Sequence, residues 1–202
     1  MRARLPRRGL DELTAADPRM AALVARVGPF RMELTSERSH LYALAHAIVH
    51  QQLSGKAAAT IFARLEALFP PGTFPDARAL LRISPDLLRD AGLSRGKSAA
   101  LLDLAEKAGS LGLDALDALS DDDIVTRLVR VRGIGPWSAQ MFLMFHLGRP
   151  DVWPSTDLGI RKGAQVLTRS RKLPTVASVE RLGARFRPWR SAAAWYLWRA
   201  LD

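Results

Sequence analysis

The chain has 202 residues, 48% of them hydrophobic, enough for one good core or for two small subdomains. Lysine and arginine number 30 against 20 aspartates and glutamates, and the formal charge of +10 favours a polyanionic partner, nucleic acid first among them. Cysteine is absent, which excludes disulfides, thiolate zinc sites, cysteine-held iron–sulfur clusters and a cysteine nucleophile.

The start, MRARLPRRGLDEL, carries basic residues with no apolar stretch behind them, and no later apolar run approaches the ~20 residues of a membrane span. The expectation is a soluble, cytoplasmic protein without a membrane partner, with an irregular tail no longer than the first eight residues. Apolar residues then recur at helical spacing: Leu41, Leu44, Ala45, Ile48 and Val49, and, after Ser54-Gly55, Ile61, Phe62, Leu65 and Leu68. Strand-like alternation is nearly absent, so the fold is expected to be all-α. Ser84-Pro85 opens a short helix that Gly92 closes, and Ser94 precedes RGKSAALLDLAEKAG. Ser120 with Asp123 reads as a capping box opening DDDIVTRLVRV, whose acidic first turn suits the helix dipole. Pro and Gly clusters at 70–75 and 148–154 are connections between helices.

The stretch VRGIGPWSAQ, residues 131–140, is the most informative. A helix ends near Arg130, the chain turns through Gly133-Ile134-Gly135, and a new helix starts with Pro136 at its first position, where a missing N–H costs nothing. This reads as a helix-hairpin-helix spanning 124–146, with Ile134 buried between its helices. Glycines allow close backbone approach, and the amides opening the second helix form a nest for a DNA phosphate. Alone, such a turn is more readily an ordinary tight connection. Downstream, DVWPSTDLGIRKG puts Asp157 ahead of a helix, with Arg161 and Lys162 close behind it. From STDLG alone, Asp157 reads as a plain N-cap.

Hairpin and aspartate together resemble the helix-hairpin-helix DNA glycosylases, and most closely the 3-methyladenine DNA glycosylase II family of alkylation-repair enzymes. The resemblance extends over AIVHQQLSGKAAATIFARL at 47–65, AGLSRGKSAALLDLA at 91–105 and PWRSAAAWYLW at 188–198, in order across most of the chain. It implies two helical subdomains flanking a DNA-binding cleft, without the extra N-terminal β domain of longer members. Residues 36–135 would form a central bundle, and 1–35 with 136–202 the other subdomain, the whole acting as one compact catalytic unit.

The function implied is that of a monofunctional glycosylase in base excision repair. Working as a monomer, it would flip an alkylated purine of the 3-methyladenine or 7-methylguanine type out of double-stranded DNA and hydrolyse its N-glycosidic bond, leaving an abasic site. Asp157 matches the catalytic position, an anion that stabilises an oxocarbenium-like sugar and orients water. Trp137 stands where bifunctional relatives carry a Schiff-base lysine, so no strand-cutting lyase activity is expected, and its indole face suits a cationic base. Trp198 matches a further aromatic of the pocket, against its ordinary reading as core. Met141 and Leu158 stand where tyrosines would, which leaves the pocket less aromatic and the range of lesions open.

Gln52 aligns with the wedge that fills the stack after base extrusion, and Leu53 beside it is either a second wedge candidate or core. Arg132, Gly133, Ile134, Gly135 and Ser138 of the hairpin are expected on the DNA face with Arg95, Lys97, Arg161 and Lys162; the plain alternative for each cation is a solvated surface charge. No cofactor is expected for catalysis. The carbonyls of Val129, Val131 and Ile134 are expected to hold a structural Na+ or K+ bridging hairpin and phosphate.

Two rival readings stand beside this one. His46 and His50 lie four apart on a helix, as metal ligands can, but HAIVH lacks the glutamate of the protease motif, and only His40 and His146 remain as further histidines. The bland alternative is helix-face histidines near DNA or core. The second rival is a non-catalytic helix-hairpin-helix DNA-binding protein. Asp157 argues against it, since a phosphate binder has little use for an anion aimed at DNA.

Overall fold

The computed structural model describes residues 2–35 and 38–202. Among these the chain forms twelve α-helices and no β-strand, with one isolated antiparallel bridge between Arg2 and Glu33. The all-α expectation holds. No helix among the described residues is long and apolar enough to cross a membrane.

The chain divides into two compact units, Met1–Ser36 with Leu143–Asp202, and Glu37–Phe142. The later boundary falls at 142/143, where the sequence reading puts it at 135/136; residue 36, the expected start of the central bundle, lies outside the described residues. The reason is burial. The helix after the hairpin buries Ala139, Phe142, Leu143 and Met144 to 4% exposure or less, so it supplies core to the end of one unit and the start of the next. The glycine turn before it is a bend inside one unit.

The first unit opens with α1 (Arg7–Ala16) and α2 (Pro18–Val27). Asp17 between them is buried: it caps α2 by accepting the Arg19 N–H at 2.9 Å and pairs with the Arg19 guanidinium at 2.6 Å. The Ala3 N–H donates to the Met32 carbonyl at 2.8 Å and α1 begins at Arg7, so the stretch read as a tail is tied down and partly helical.

The second unit contains α3 (His40–His50), α4 (Gly55–Glu66), α5 (Ala77–Leu81), α6 (Pro85–Asp90), α7 (Arg95–Leu111), α8 (Asp121–Leu128) and most of α9 (Pro136–Phe145). Ser54, Ser84, Ser94 and Ser120 each accept the backbone N–H three residues on, satisfying a donor the helix start would otherwise leave open. At Ser120 the hydroxyl also donates to the Asp123 carboxylate at 2.6 Å, so this box closes side chain to side chain. Leu44, Ile48, Leu65, Leu80, Leu88, Leu101, Leu104 and Leu128 are 1% exposed or less, each burial stabilising the unit by about 2 kcal/mol.

The first unit resumes with α10 (Leu158–Thr168), α11 (Val176–Gly183) and α12 (Arg190–Arg199). On α12 everything from Ser191 to Leu197 is buried. A Cβ at Gly163 would collide with the Leu197 carbonyl, so the bare glycine lets the backbones of α10 and α12 touch. The close crossing brings Trp198 to the first turn of α10.

Candidate active site

In the second unit, α8 gives way to a turn whose Gly133 has φ +79°, a left-handed conformation that suits glycine. Ile134 is buried as expected, its N–H donating to the Val131 carbonyl at 3.1 Å, and the Gly135 carbonyl accepts the Ala139 N–H at 3.1 Å as α9 starts. Two side chains of α7 hold this hairpin. Asp103 Oδ2 accepts the Arg132 N–H at 2.7 Å, and Lys107 Nζ donates to the Arg130 carbonyl at 2.8 Å while pairing with Asp103 at 2.8 Å. The Lys107 hydrogen bond, then the Arg132 amide, holds the Asp103 carboxyl below the usual aspartate range. Neither residue was expected at the site: their i,i+4 spacing is visible in the sequence, but their aim at the hairpin is not.

The turn that carries the residues expected as a wedge follows α3. Gln52 has φ +54°, uncommon for a residue with a side chain, and is exposed; Leu53 is 40% exposed, so it is not core. Gln51 fastens this turn to the hairpin, its Nε2 donating to the Gly133 carbonyl at 2.9 Å and the Ser138 hydroxyl at 3.3 Å. Lys97, expected on the DNA face, donates instead to the carbonyls of Val49 and Gln51 at 2.6 and 2.8 Å, closing the C-terminus of α3; burial pulls its ammonium below the usual lysine range. Arg95 and Arg132 are exposed.

Between the turn after α3 and the hairpin lies a cavity of about 620 Å³ lined by Ala47, His50, Gln52, Trp137, Ser138 and Met141, among others. Trp137 is 43% exposed, Met141 half-buried and Ser138 buried. His46 and His50 do not converge on a metal position: their rings stack at 3.6 Å, and among the described residues no three His, Cys, Asp or Glu side chains form a metal-binding group. Burial, then its neighbour His50, lowers the His46 pKa to about 4.

In the first unit, Asp157 is the N-cap of α10. Its Oδ1 accepts the Ile160 N–H at 2.8 Å and the Trp198 indole N–H at 2.9 Å. An anion at a helix N-terminus is favoured by the exposed amides and the helix dipole. Trp198 is half-buried, and Phe145 stacks against its ring at 5.9 Å between centroids. A Cβ at Gly159 would lie 2.7 Å from Trp198 Cδ1 and 2.9 Å from Asp157 Oδ1, so only glycine leaves room for this bond. Leu158, beside Asp157, is 52% exposed. Arg161 donates to the Pro174 carbonyl at 3.0 Å, and Lys162 is exposed.

Residues 45–188 match the family described as HhH-GPD superfamily base excision DNA repair protein. The chain belongs to this family. Among HhH-GPD relatives, DNA-3-methyladenine glycosylase 1 of Schizosaccharomyces pombe is 36% identical over 192 residues, which span 93% of this chain and 84% of the relative. The DNA-3-methyladenine glycosylase of Saccharomyces cerevisiae is 33% identical, over 77% of this chain and 64% of its own length. In three dimensions the chain is similar to the S. pombe 3-methyladenine DNA glycosylase in complex with abasic DNA, with a TM-score of 0.85 and 33% identity over 95% of both chains. It is equally similar to the DNA-3-methyladenine glycosidase of Bacillus halodurans, with a TM-score of 0.85 and 31% identity over 95% of this chain and 88% of the other. The alkylation-repair resemblance expected from the motifs is the one these comparisons return.

Proposed function

We propose that this chain is a monofunctional DNA glycosylase of base excision repair, acting as a monomer on double-stranded DNA to remove alkylated purines of the 3-methyladenine and 7-methylguanine type. The observation that carries this reading is the Asp157 carboxylate held at the start of α10 by Trp198, in a chain whose relatives are named DNA-3-methyladenine glycosylases. As the N-glycosidic bond breaks, its electron pair leaves with the base and the sugar becomes oxocarbenium-like. Asp157 stabilises that positive charge and orients the water that attacks the anomeric carbon, whose proton is then lost to solvent. A cationic alkylated purine is already a good leaving group, so no strong general acid is needed.

Trp137 supplies a stacking face for the extruded base beside Met141 in the second unit, and Leu158 and Trp198, next to Asp157 in the first, are proposed as further base contacts. Tryptophan cannot form a Schiff base, and the helix it opens, PWSAQMFLMF, contains no lysine, which supports hydrolysis without strand cleavage. Gln52 fills the vacated stack, and Leu53 extends the wedge with an apolar side chain. The amides of Gly133 and Gly135, with Arg95, Arg132 and Lys162, bind phosphates. The carbonyls of Val129, Val131 and Ile134 are proposed to hold a monovalent cation: they are neutral oxygen donors along the hairpin, and Val131's bond from Ile134 leaves it a second lone pair. Na+ or K+ there would neutralise a DNA phosphate, and no step of the hydrolysis needs it.

The test is single-turnover base release from duplex DNA containing 3-methyladenine or 7-methylguanine, wild type beside Asp157→Asn, with alkali to reveal abasic sites. The wild type is expected to release base, with strands breaking only after alkali. Asp157→Asn keeps an oxygen for Ile160 and Trp198, so it should bind DNA but release base about 10²–10³-fold more slowly. If both proteins bind DNA and neither releases a base, the chain is a DNA-binding protein and not an enzyme.

A further inference from the structure

We infer that His50 is a specificity-determining residue of the cavity: it offers Nε2 as a fixed hydrogen-bond acceptor and so favours damaged purines that retain an exocyclic amino group. The inference rests on the proposal that this cavity receives the extruded base.

His50 is the last residue of α3 and lines the cavity beside the apolar side chains of Ala47, Trp137 and Met141. Its Nδ1 lies 2.9 Å from the His46 carbonyl oxygen. A carbonyl can only accept, so Nδ1 carries the proton, and in the neutral ring Nε2 is left as a bare lone pair. Among the described residues Nε2 makes no hydrogen bond. Stacking fixes the ring plane as well: the His46 imidazole lies 3.6 Å away at 21°, and is itself braced by the edge of Phe62 at 4.9 Å. Rotation of His50 would break both the bond and the stack. The Gln51 amide nitrogen, a donor at the same wall, is already spent on Gly133 and Ser138.

A fixed acceptor beside an aromatic face discriminates between lesions by their donors. In 3-methyladenine the 6-amino group survives, and the positive charge spread over the ring makes its hydrogens stronger donors; 7-methylguanine keeps a 2-amino group. In 1,N6-ethenoadenine the bridge removes the amino hydrogens, and in hypoxanthine a carbonyl oxygen replaces the amine and would meet the Nε2 lone pair with its own. A buried polar group left facing a base without the matching donor disfavours that base.

The test compares single-turnover release of 3-methyladenine and 1,N6-ethenoadenine from otherwise identical duplexes by wild type, His50→Leu and His50→Gln, each checked by thermal melting. Because 3-methyladenine is intrinsically labile, the quantity read is the change in the ratio of the two rates between proteins. With His50→Leu the ratio is expected to fall tenfold or more, and His50→Gln, which retains an amide oxygen, is expected to restore most of it. A ratio unchanged in His50→Leu, including equal slowing of both substrates, overturns the inference while leaving the glycosylase reading intact. Release of neither base by wild type overturns that reading, and this inference with it.

Discussion

The Trp198 indole and the Ile160 amide donate to the same oxygen of Asp157, Oδ1, at 2.9 and 2.8 Å. Two donors from two helices fix the rotation of the carboxyl group, and a hydrogen bond to a charged acceptor is worth about 1.5–3 kcal/mol. An anion that must face developing positive charge gains from being held in place before the reaction starts.

Trp198→Phe removes the indole donor and keeps an aromatic ring against Phe145. Base release under single-turnover conditions is expected to slow about tenfold, corresponding to ~1.4 kcal/mol in the barrier, while affinity for undamaged duplex stays near wild type. A rate within about twofold of wild type would mean that the indole bond is not what positions the carboxylate.

The two glycines of α10 separate site geometry from folding. Alanine at Gly159 pushes on Trp198 Cδ1 and Asp157 Oδ1, both side-chain atoms of the site, whereas alanine at Gly163 meets the Leu197 backbone. Gly159→Ala is expected to lose activity out of proportion to its melting temperature. Gly163→Ala is expected to lose about 1–3 kcal/mol of stability. Paired thermal melts and release assays check both, and equal behaviour of the two variants would contradict the assignment.

Asp103→Ala leaves the Arg132 amide and the Lys107 ammonium without their shared carboxylate. The pair is partly exposed, so the expected effect is modest: duplex affinity falls about fivefold by anisotropy, roughly 1 kcal/mol, with release from saturated complex unchanged. For a carboxyl held below its usual pKa, the stabilisation is present above the ordinary aspartate range and is lost as pH falls through the lowered value. The hairpin should accordingly keep this support throughout the neutral range.

His46 titrates with the opposite charge logic. Its pKa falls from 6.5 to about 4 on folding, so between these values the unfolded chain binds more protons, and acid below 6.5 draws the equilibrium toward unfolding. His46→Phe keeps a ring against His50 and Phe62 but cannot protonate. From neutral pH to about pH 5 the wild type is expected to lose about 4–7 °C more in melting temperature than the variant. Parallel melting curves would contradict the proposed burial of a neutral imidazole.

Much of the scaffold was legible because its signals are local. Ser84, Ser94 and Ser120 start helices where a short polar residue precedes an apolar period, and Gly133 to Pro136 turn the chain where only those residue types turn it cheaply. Asp157 was legible as a cap for the same reason. The readings that changed depend on what lies across the fold. Lys97 looks like any helix-start cation, and nothing near it in sequence announces that α3 ends beneath it with open carbonyls. Leu53 was open between wedge and core by its chemistry, and only its exposure in the folded turn removes the second. Phe145 and Gly159 carried no signal at all, since one acts by stacking on Trp198 and the other by being small beneath it.

The left-handed backbone at Gln52 carries a consequence for how substitutions here should be judged. Holding a residue with a Cβ at φ +54° costs about 1–2 kcal/mol that glycine would not incur. Glycine at this position would relax the turn and at the same time delete the side chain proposed to enter the duplex. Gln52→Gly is therefore expected to raise the melting temperature and slow base release together, because the turn exchanges tolerance of strain for reach.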